Sequence, residues 1–255
     1  MTTVPKLAWK GVHKRFDGKR VLDGLDLAVD AGRSLVIIGG SGQGKSVTLK
    51  VALGLMTPDA GEIALDGQDV VGLRGPARSK LFSRFGMLFQ GGALFDSLSV
   101  WENVAFRLLN ADGVKRKAAR ERAVEALERV RLGAQVADLF PGELSGGMQK
   151  RVGLARAVVA TPEIIFFDEP TTGLDPITAA AINGLIVEQV RRLGCTAVSI
   201  THDLASARTI GDEIAMLNKG QIIWRGTPAE LDHTDDARVR QFVDGRPDGP
   251  LTNRH

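Results

Sequence analysis

The stretch Gly39-Gly40-Ser41-Gly42-Gln43-Gly44-Lys45-Ser46 lies between an apolar, strand-like segment, Leu35 to Ile38, and a helix-like segment, Val47 to Leu55. Glycines at these spacings let the backbone curl until its N–H groups point inward, and the following helix adds the positive end of its dipole. Such a concavity wants an anion. Lys45 can reach terminal phosphates from this position, and the Ser46 hydroxyl suits one place in the octahedron of a magnesium ion. A glycine-rich turn with an incidental lysine is the alternative. The four fixed positions coincide by chance in roughly one chain per hundred at average residue usage, and the strand-before, helix-after context lowers that figure. A nucleotide-binding loop is therefore preferred.

At 255 residues, with 44% hydrophobic and 25% charged residues, the chain is ordinary for a globular protein and long enough for one large domain or two small ones. No apolar run approaches the length of a bilayer span, and Met1 to Lys10 lacks the basic, apolar, small-residue order of a signal peptide. A cytoplasmic location is expected. Lys and Arg number 33 against 30 Asp and Glu, a formal charge of +3, which is too small an excess to argue for nucleic acid. The densest basic run, Lys115 to Arg122, is diluted by acids just downstream and reads as a solvated helix face. Cys195 is the one cysteine, so no internal disulfide forms; in its apolar setting it reads as a buried, inert thiol.

Outward from the loop, Leu7 to Asp30 reads as short strands broken at Asp17-Gly18 and Asp23-Gly24, an antiparallel sheet edge. Glu62 to Leu65 and the turn Asp66-Gly67 predict a further hairpin. Arg84 to Gln90 is a short apolar run, after which strand gives way to helix. Ser99-Val100-Trp101-Glu102 has capping-box spacing for a helix reaching about Leu109, and Lys115 to Arg131 is helical in period with Val124, Leu127 and Val130 on one side. Residues 92–142 thus read as a helical insertion. Ser145 caps a helix through Met148, Val152, Ala155 and Val159, and a buried strand, Ile164 to Phe167, follows. Asp175-Pro176 opens another helix that Leu193-Gly194 closes, and Thr196 to Ile200 is the next strand. Asn218-Lys219-Gly220-Gln221 joins two strands, and Thr227-Pro228-Ala229-Glu230 is a capping box. Alternating strands and helices imply a mainly parallel, three-layer α/β core. Beyond Phe242 the run Asp244-Gly245-Arg246-Pro247-Asp248-Gly249-Pro250 suits neither helix nor strand.

Companion residues decide what is done with the nucleotide. Ile164-Ile165-Phe166-Phe167-Asp168-Glu169 is an apolar strand ending in two carboxylates: Asp168 suits magnesium, directly or through water, and Glu169 suits a general base that polarises the attacking water. Two solvent-facing acids would be the default reading without the loop; behind it the order reverses. His202, directly after a strand, can hydrogen-bond a γ-phosphate, whereas a lone histidine is more often structural; His13, His233 and His255 are assigned nothing. Leu144-Ser145-Gly146-Gly147-Met148 places a serine cap and two glycines at a helix start, a second anion site that is otherwise a plain helix cap.

Taken in order, Gly39 to Ser46, Gln90, Ser145 to Met148, Asp168-Glu169, Asp175 and His202 resemble the ATP-binding cassette (ABC) family of transport ATPases over nearly the whole chain. The resemblance implies a P-loop NTPase, RecA-like core (5–91 and 143–243) with an antiparallel β edge and a helical subdomain (92–142), followed by a tail (244–255). It implies ATP and Mg²⁺ as cofactors: Gly39, Gly40, Ser41, Gly42, Gln43, Gly44, Lys45, Ser46 and Val47 around the phosphates, Ser46, Gln90 and Asp168 toward the metal, and Glu169, His202 and Lys45 for catalysis. Phe16 falls where the family usually stacks an aromatic, often tyrosine, on adenine; this chain has no tyrosine, so only a π-face would serve. The family also implies a head-to-tail dimer, in which Ser145, Gly146 and Gly147 of one copy meet the γ-phosphate held by Lys45 of the other and Asp175 contacts across the interface. Met148 stands where the family more often has glutamine. Gly91-Gly92-Ala93-Leu94-Phe95-Asp96, Asp175-Pro176-Ile177-Thr178 and Arg238-Val239-Arg240-Gln241-Phe242 with the tail are similar to the ATPase subunits of Mla-type, Mce-associated lipid transporters. The implied partners are a membrane permease coupled through Gln90, an Mce-domain protein and a STAS-domain subunit, with the chain peripheral on the cytoplasmic face of the inner membrane. The tail is expected to order against a partner or the second copy. An ATPase for an amino-acid, ion or drug transporter, or a non-transport cassette acting on DNA or ribosomes, are the alternatives; one cassette, no long coiled-coil insertion and no strongly basic face count against the last. Cargo and direction lie in the permease.

Overall fold

The computed structural model describes residues 4–252; the last three residues of the expected tail, His255 among them, fall outside that range. In chain order the elements are β1 (Leu7–Phe16), β2 (Lys19–Val29), β3 (Ser34–Ile38), α1 (Lys45–Ala52), β4 (Ala60–Leu65), β5 (Gln68–Asp69), α2 (Gly75–Phe82), β6 (Phe85–Leu88), α3 (Val100–Asn110), α4 (Arg116–Arg129), α5 (Gly146–Val158), β7 (Ile164–Asp168), α6 (Pro176–Leu193), β8 (Thr196–Ile200), α7 (Leu204–Ile210), β9 (Glu213–Asn218), β10 (Gln221–Gly226), α8 (Pro228–His233) and α9 (Ala237–Val243). Contacts divide them into two compact units: the chain up to Ala77 together with Val198 onward, and Arg78 to Ala197.

In the first unit an antiparallel sheet runs in the order β2-β1-β4-β5. Asp17-Gly18 turns the β1–β2 hairpin as expected, but Asp23-Gly24 does not break the chain. Pairing passes from Val12↔Leu25 to His13↔Asp23, leaving Gly24, at φ +74°, as the extra residue of a bulge. The expected series of short strands is therefore corrected to two long ones, of 10 and 11 residues. Asp-Gly supplies the left-handed residue that turns and bulges both need, and pairing on either side carries the strand through. Strand β3 pairs parallel with β9, Leu35↔Glu213 to Ile38↔Met216. Leu35, Val36, Ile37 and Ile38 are all fully buried, as a parallel strand covered on both faces requires. Beside it the end of β8 continues into Thr201, whose N–H donates to the Ile37 carbonyl at 3.2 Å.

In the second unit β6 and β7 pair parallel from Phe85↔Ile164 to Leu88↔Phe167, with Phe85 edge-on to Phe166 at 5.3 Å. Helix α5 lies so close to β6 that a Cβ on Gly86 would stand 2.2 Å from the Ala157 carbonyl oxygen. Gly86→Ala should accordingly cost about 1–3 kcal/mol, the usual range for overpacking, and lower the thermal unfolding midpoint. Gly184→Ala, whose Cβ meets nothing within 4 Å on α6, is the control and should be neutral or stabilising.

Helix α3 begins with the expected capping box, the Ser99 N–H donating to Glu102 Oε2 at 3.0 Å. On α4 the buried side is Ala119, Ala123, Ala126 and Leu127, with Val124 only half-buried. Leu127 and Val130 of the expected side are fully buried, and small residues at i, i+4 and i+7 let the helix seat closely beside them. Asp175 caps α6, and Gly194 closes it in the left-handed conformation. Cys195 is buried, and burial pushes its thiol up to about 11, so it stays protonated and unreactive near neutral pH. Among the described residues no helix is long and apolar enough to cross a membrane.

Candidate active site

The first unit holds the glycine loop, with Gly39 at the end of β3. A Cβ on Gly39 would stand 2.3 Å from the Leu217 carbonyl oxygen of β9, and one on Gly44, at φ +107°, 2.7 Å from that of Val21. Neither position admits a side chain. Lys45 is buried, and its Nζ donates to the carbonyls of Gly39 at 2.7 Å and Gly40 at 3.1 Å, so the ammonium lies across the loop. Helix α1 has no acid in its first turn to neutralise its positive end. Ser41, Gly42 and Ser46 are exposed. Thr48 anchors the helix from beneath: its hydroxyl donates to the Gly44 carbonyl at 3.1 Å, and its own carbonyl accepts from the Trp9 indole at 3.1 Å. Gln43 Oε1 accepts from the Lys219 N–H at 2.6 Å, tying the loop to the β9–β10 turn. Glycines at positive φ in positions 39, 42 and 44, an ammonium lying across the loop and an exposed hydroxyl at the helix start fit a polyphosphate. Phe16, at the end of β1, is 41% exposed, which leaves ring surface for stacking. His202 is exposed immediately after β8, and the next residue, Asp203, caps α7 through Ala205 and Ser206.

The second unit gathers Gln90, Asp168 and Glu169. Asp168 ends β7, and Glu169 follows in the left-handed region at φ +48°, a conformation that costs a side-chain-bearing residue roughly 1–2 kcal/mol and clusters at functional positions. Glu169 Oε2 accepts from the Thr172 hydroxyl at 3.1 Å. The Glu169 carbonyl accepts from Lys150 Nζ at 3.4 Å, and the same ammonium donates to the Gln90 carbonyl. Lys150 is 5% exposed; burial pulls its pKa down, against the opposing charges of Asp168 and Glu169. The loop after Gln90 is clamped by Arg156, which donates to the carbonyls of Ala93 at 2.7 Å and Gly92 at 2.5 Å, and by buried Asn103, which bonds the backbone of Phe95 and Leu98.

Also in this unit, exposed Ser145 caps α5, its Oγ accepting from the Met148 N–H at 3.3 Å. A Cβ on Gly147 would come within 2.9 Å of Thr178 Cγ2, so the serine-glycine turn lies against the start of α6. Asp175 there accepts from the backbones of Ile177 and Thr178 and from the Thr178 hydroxyl; the last holds its carboxyl below the usual range. Within this unit the structure thus brings Gln90 near Glu169, and Ser145–Gly147 near Asp175. Lys150, Thr172, Arg156 and Asn103 were not singled out from the sequence. Lys150 shares a helix row with apolar Leu154 and Ala157, four and seven residues on, and a lysine in that row was the available signal for the first of them.

Among the described residues no three His, Cys, Asp or Glu side chains form a metal cage. Magnesium needs none, since it takes one or two protein ligands with the rest from phosphate and water. Tail residues 244–252 fold back on α9. Buried Gln241 accepts from the Leu251 N–H at 2.7 Å and donates to the Arg246 carbonyl at 3.2 Å and the Thr252 hydroxyl at 3.2 Å. They help close a cavity of about 360 Å³ beside the loop, lined by Gly40, Gln43, Leu217, Phe242 and Leu251 among others.

Residues 22–172 match the family model described as ABC transporter. The chain is 40% identical over 242 residues to a Mycobacterium leprae protein named probable ribonucleotide transport ATP-binding protein mkl, covering 95% of this chain and 70% of that one. It is also 40% identical over 235 residues to a Haemophilus influenzae protein named intermembrane phospholipid transport system ATP-binding protein MlaF, covering 92% and 89%. Among solved structures it superposes, at TM-score 0.79 and 31% identity over 87% of this chain and 98% of the other, on a dimeric post-hydrolysis state of the ATP-binding cassette MJ0796 bound to ADP and phosphate.

Proposed function

This chain belongs to the ABC transporter family, and on that premise we propose that it is the ATP-hydrolysing subunit of a transporter moving phospholipid, or another hydrophobic solute, across or from the inner membrane. The observation that carries the cargo is its 40% identity across 89% of a relative named for intermembrane phospholipid transport. In this reading Gly39 to Val47 take the triphosphate and Phe16 the adenine. Lys45 stabilises charge on the γ-phosphate, Glu169 accepts a proton from the attacking water, and His202 orients that water. Ser46, Gln90 and Asp168 would hold magnesium, which when bound supplies positive charge against the phosphates. Two copies meet head to tail, so that Ser145, Gly146, Gly147 and Asp175 of each complete the other's site. A permease coupled through Gln90, an Mce-domain protein and a STAS-domain subunit complete the assembly at the cytoplasmic face.

A second reading, ribonucleotide cargo, has its own support in the equally similar relative that carries that name. Reconstitution of the chain with the membrane proteins that co-purify with it, in liposomes, separates the two. ATP-dependent transfer of a fluorescent phospholipid is the expected result. Labelled ribonucleotide uptake without lipid transfer would replace the first reading by the second.

A further inference from the structure

We infer that Lys150 is a positioning residue for hydrolysis, a single ammonium that locks the backbone at Gln90 to the backbone at Glu169 and so sets where the Glu169 carboxylate points. The inference rests on Glu169 acting as the base. Strands β6 and β7 end their ladder at Leu88↔Phe167, and Gln90 and Glu169 each lie two residues beyond that pair. Past the ladder the Glu169 carbonyl accepts from the Thr172 N–H at 3.3 Å, and Lys150 Nζ donates both to that carbonyl and to the one at Gln90.

A lysine is an expensive way to bridge two carbonyls. At 5% exposure its charge loses most of its hydration, which a neutral donor would avoid. The charges of Asp168 and Glu169 oppose that cost only in part; what the lysine gains over a neutral side chain is reach to both carbonyls at once. The peptide it grips is also the strained one. Glu169 is left-handed, and rotation of that peptide would swing the carboxylate away from the position in which Thr172 holds it. Lys150 stands five residues after Ser145, on the helix that Ser145 caps. One rigid turn of α5 therefore joins the serine-glycine turn, the loop at Gln90 and the base, and a shift at either of the first two reaches the third through this ammonium.

Three variants of the full chain grade the donor: Lys150→Met removes it and keeps the stem, Lys150→Gln offers a shorter neutral donor, and Lys150→Arg keeps the charge. With misplacement by about an ångström worth up to roughly 100-fold in rate, kcat should fall about 10- to 100-fold in Lys150→Met and less in Lys150→Gln. Lys150→Arg should recover most of the loss, with KM for MgATP within about threefold throughout. A parental kcat in Lys150→Met, a rise in KM at constant kcat, or equal losses in all three tracking a lowered unfolding temperature would each overturn the inference. Should Lys150→Met fail to fold, the ranking of glutamine against arginine at constant KM decides. Glu169→Gln runs alongside: if it keeps turnover, the underlying assignment of the base is lost, whereas if it loses turnover while Lys150→Met does not, only the role of Lys150 is lost.

Discussion

Glu169→Gln should bind ATP as the parent chain does and lose turnover by about 10²- to 10⁴-fold, the range for removing a positioned general base. The amide is nearly isosteric and can still accept from the Thr172 hydroxyl that the carboxylate engages at 3.1 Å, so the fold at the end of β7 has no reason to change. What disappears is the ability to take a proton. In the proposed reading binding relies on the glycine loop and Lys45, which this substitution does not touch, and a fluorescent ATP analogue should therefore titrate unchanged. If hydrolysis is the step that reopens an ATP-closed dimer, the variant should also elute as a dimer with ATP and as a monomer without it. His202→Ala serves as the comparison: a residue that orients water without accepting its proton should cost less than the glutamate. Retained turnover in Glu169→Gln would remove the catalytic assignment, and equal losses at both positions would make the two act as one unit.

The legible parts of the chain were those where local rules and tertiary packing agree. A glycine run between an apolar strand and a helix leaves the backbone few options, and β3, its loop and α1 follow from it. Capping boxes at Ser99 and Thr227 and the Asp175-Pro176 start were legible because their hydrogen bonds are local. Asp23-Gly24 was misread because the same dipeptide serves a turn and a bulge, and only the pairing partner distinguishes them. On α4 three of the four buried residues are alanines, which hydrophobic periodicity underweights although they permit the closest approach. The role of Lys150 was illegible for a different reason. Its partners are two backbone carbonyls, 60 and 19 residues away, and no side-chain pattern announces a bond to a carbonyl. The same holds for Gln241, whose amide meets Arg246, Leu251 and Thr252.

Lys45→Ala and Ser145→Arg should each abolish turnover alone and restore part of it when mixed. The first removes the ammonium that lies across the glycine loop, proposed to stabilise charge on the γ-phosphate, and its loss should cost about 10²-fold or more. The second puts a bulky cation at the exposed cap of α5, which the head-to-tail dimer would press against the partner's nucleotide. Each fold should survive: losing a serine cap costs about 1 kcal/mol, and Lys45 bonds the carbonyls of a loop whose path is already set by Gly39 and Gly44. If each site takes its loop from one chain and its serine from the other, a mixed dimer carries one doubly damaged site and one intact site. Random exchange makes about half the dimers mixed, so roughly a quarter of the parental sites return. Phosphate release from the mixture, against each variant alone at the same total concentration, measures it. A site complete within one chain predicts no recovery at any ratio, because every chain then carries its own lesion, and that outcome would return the loop at Gly39 to Ser46 to being a whole site.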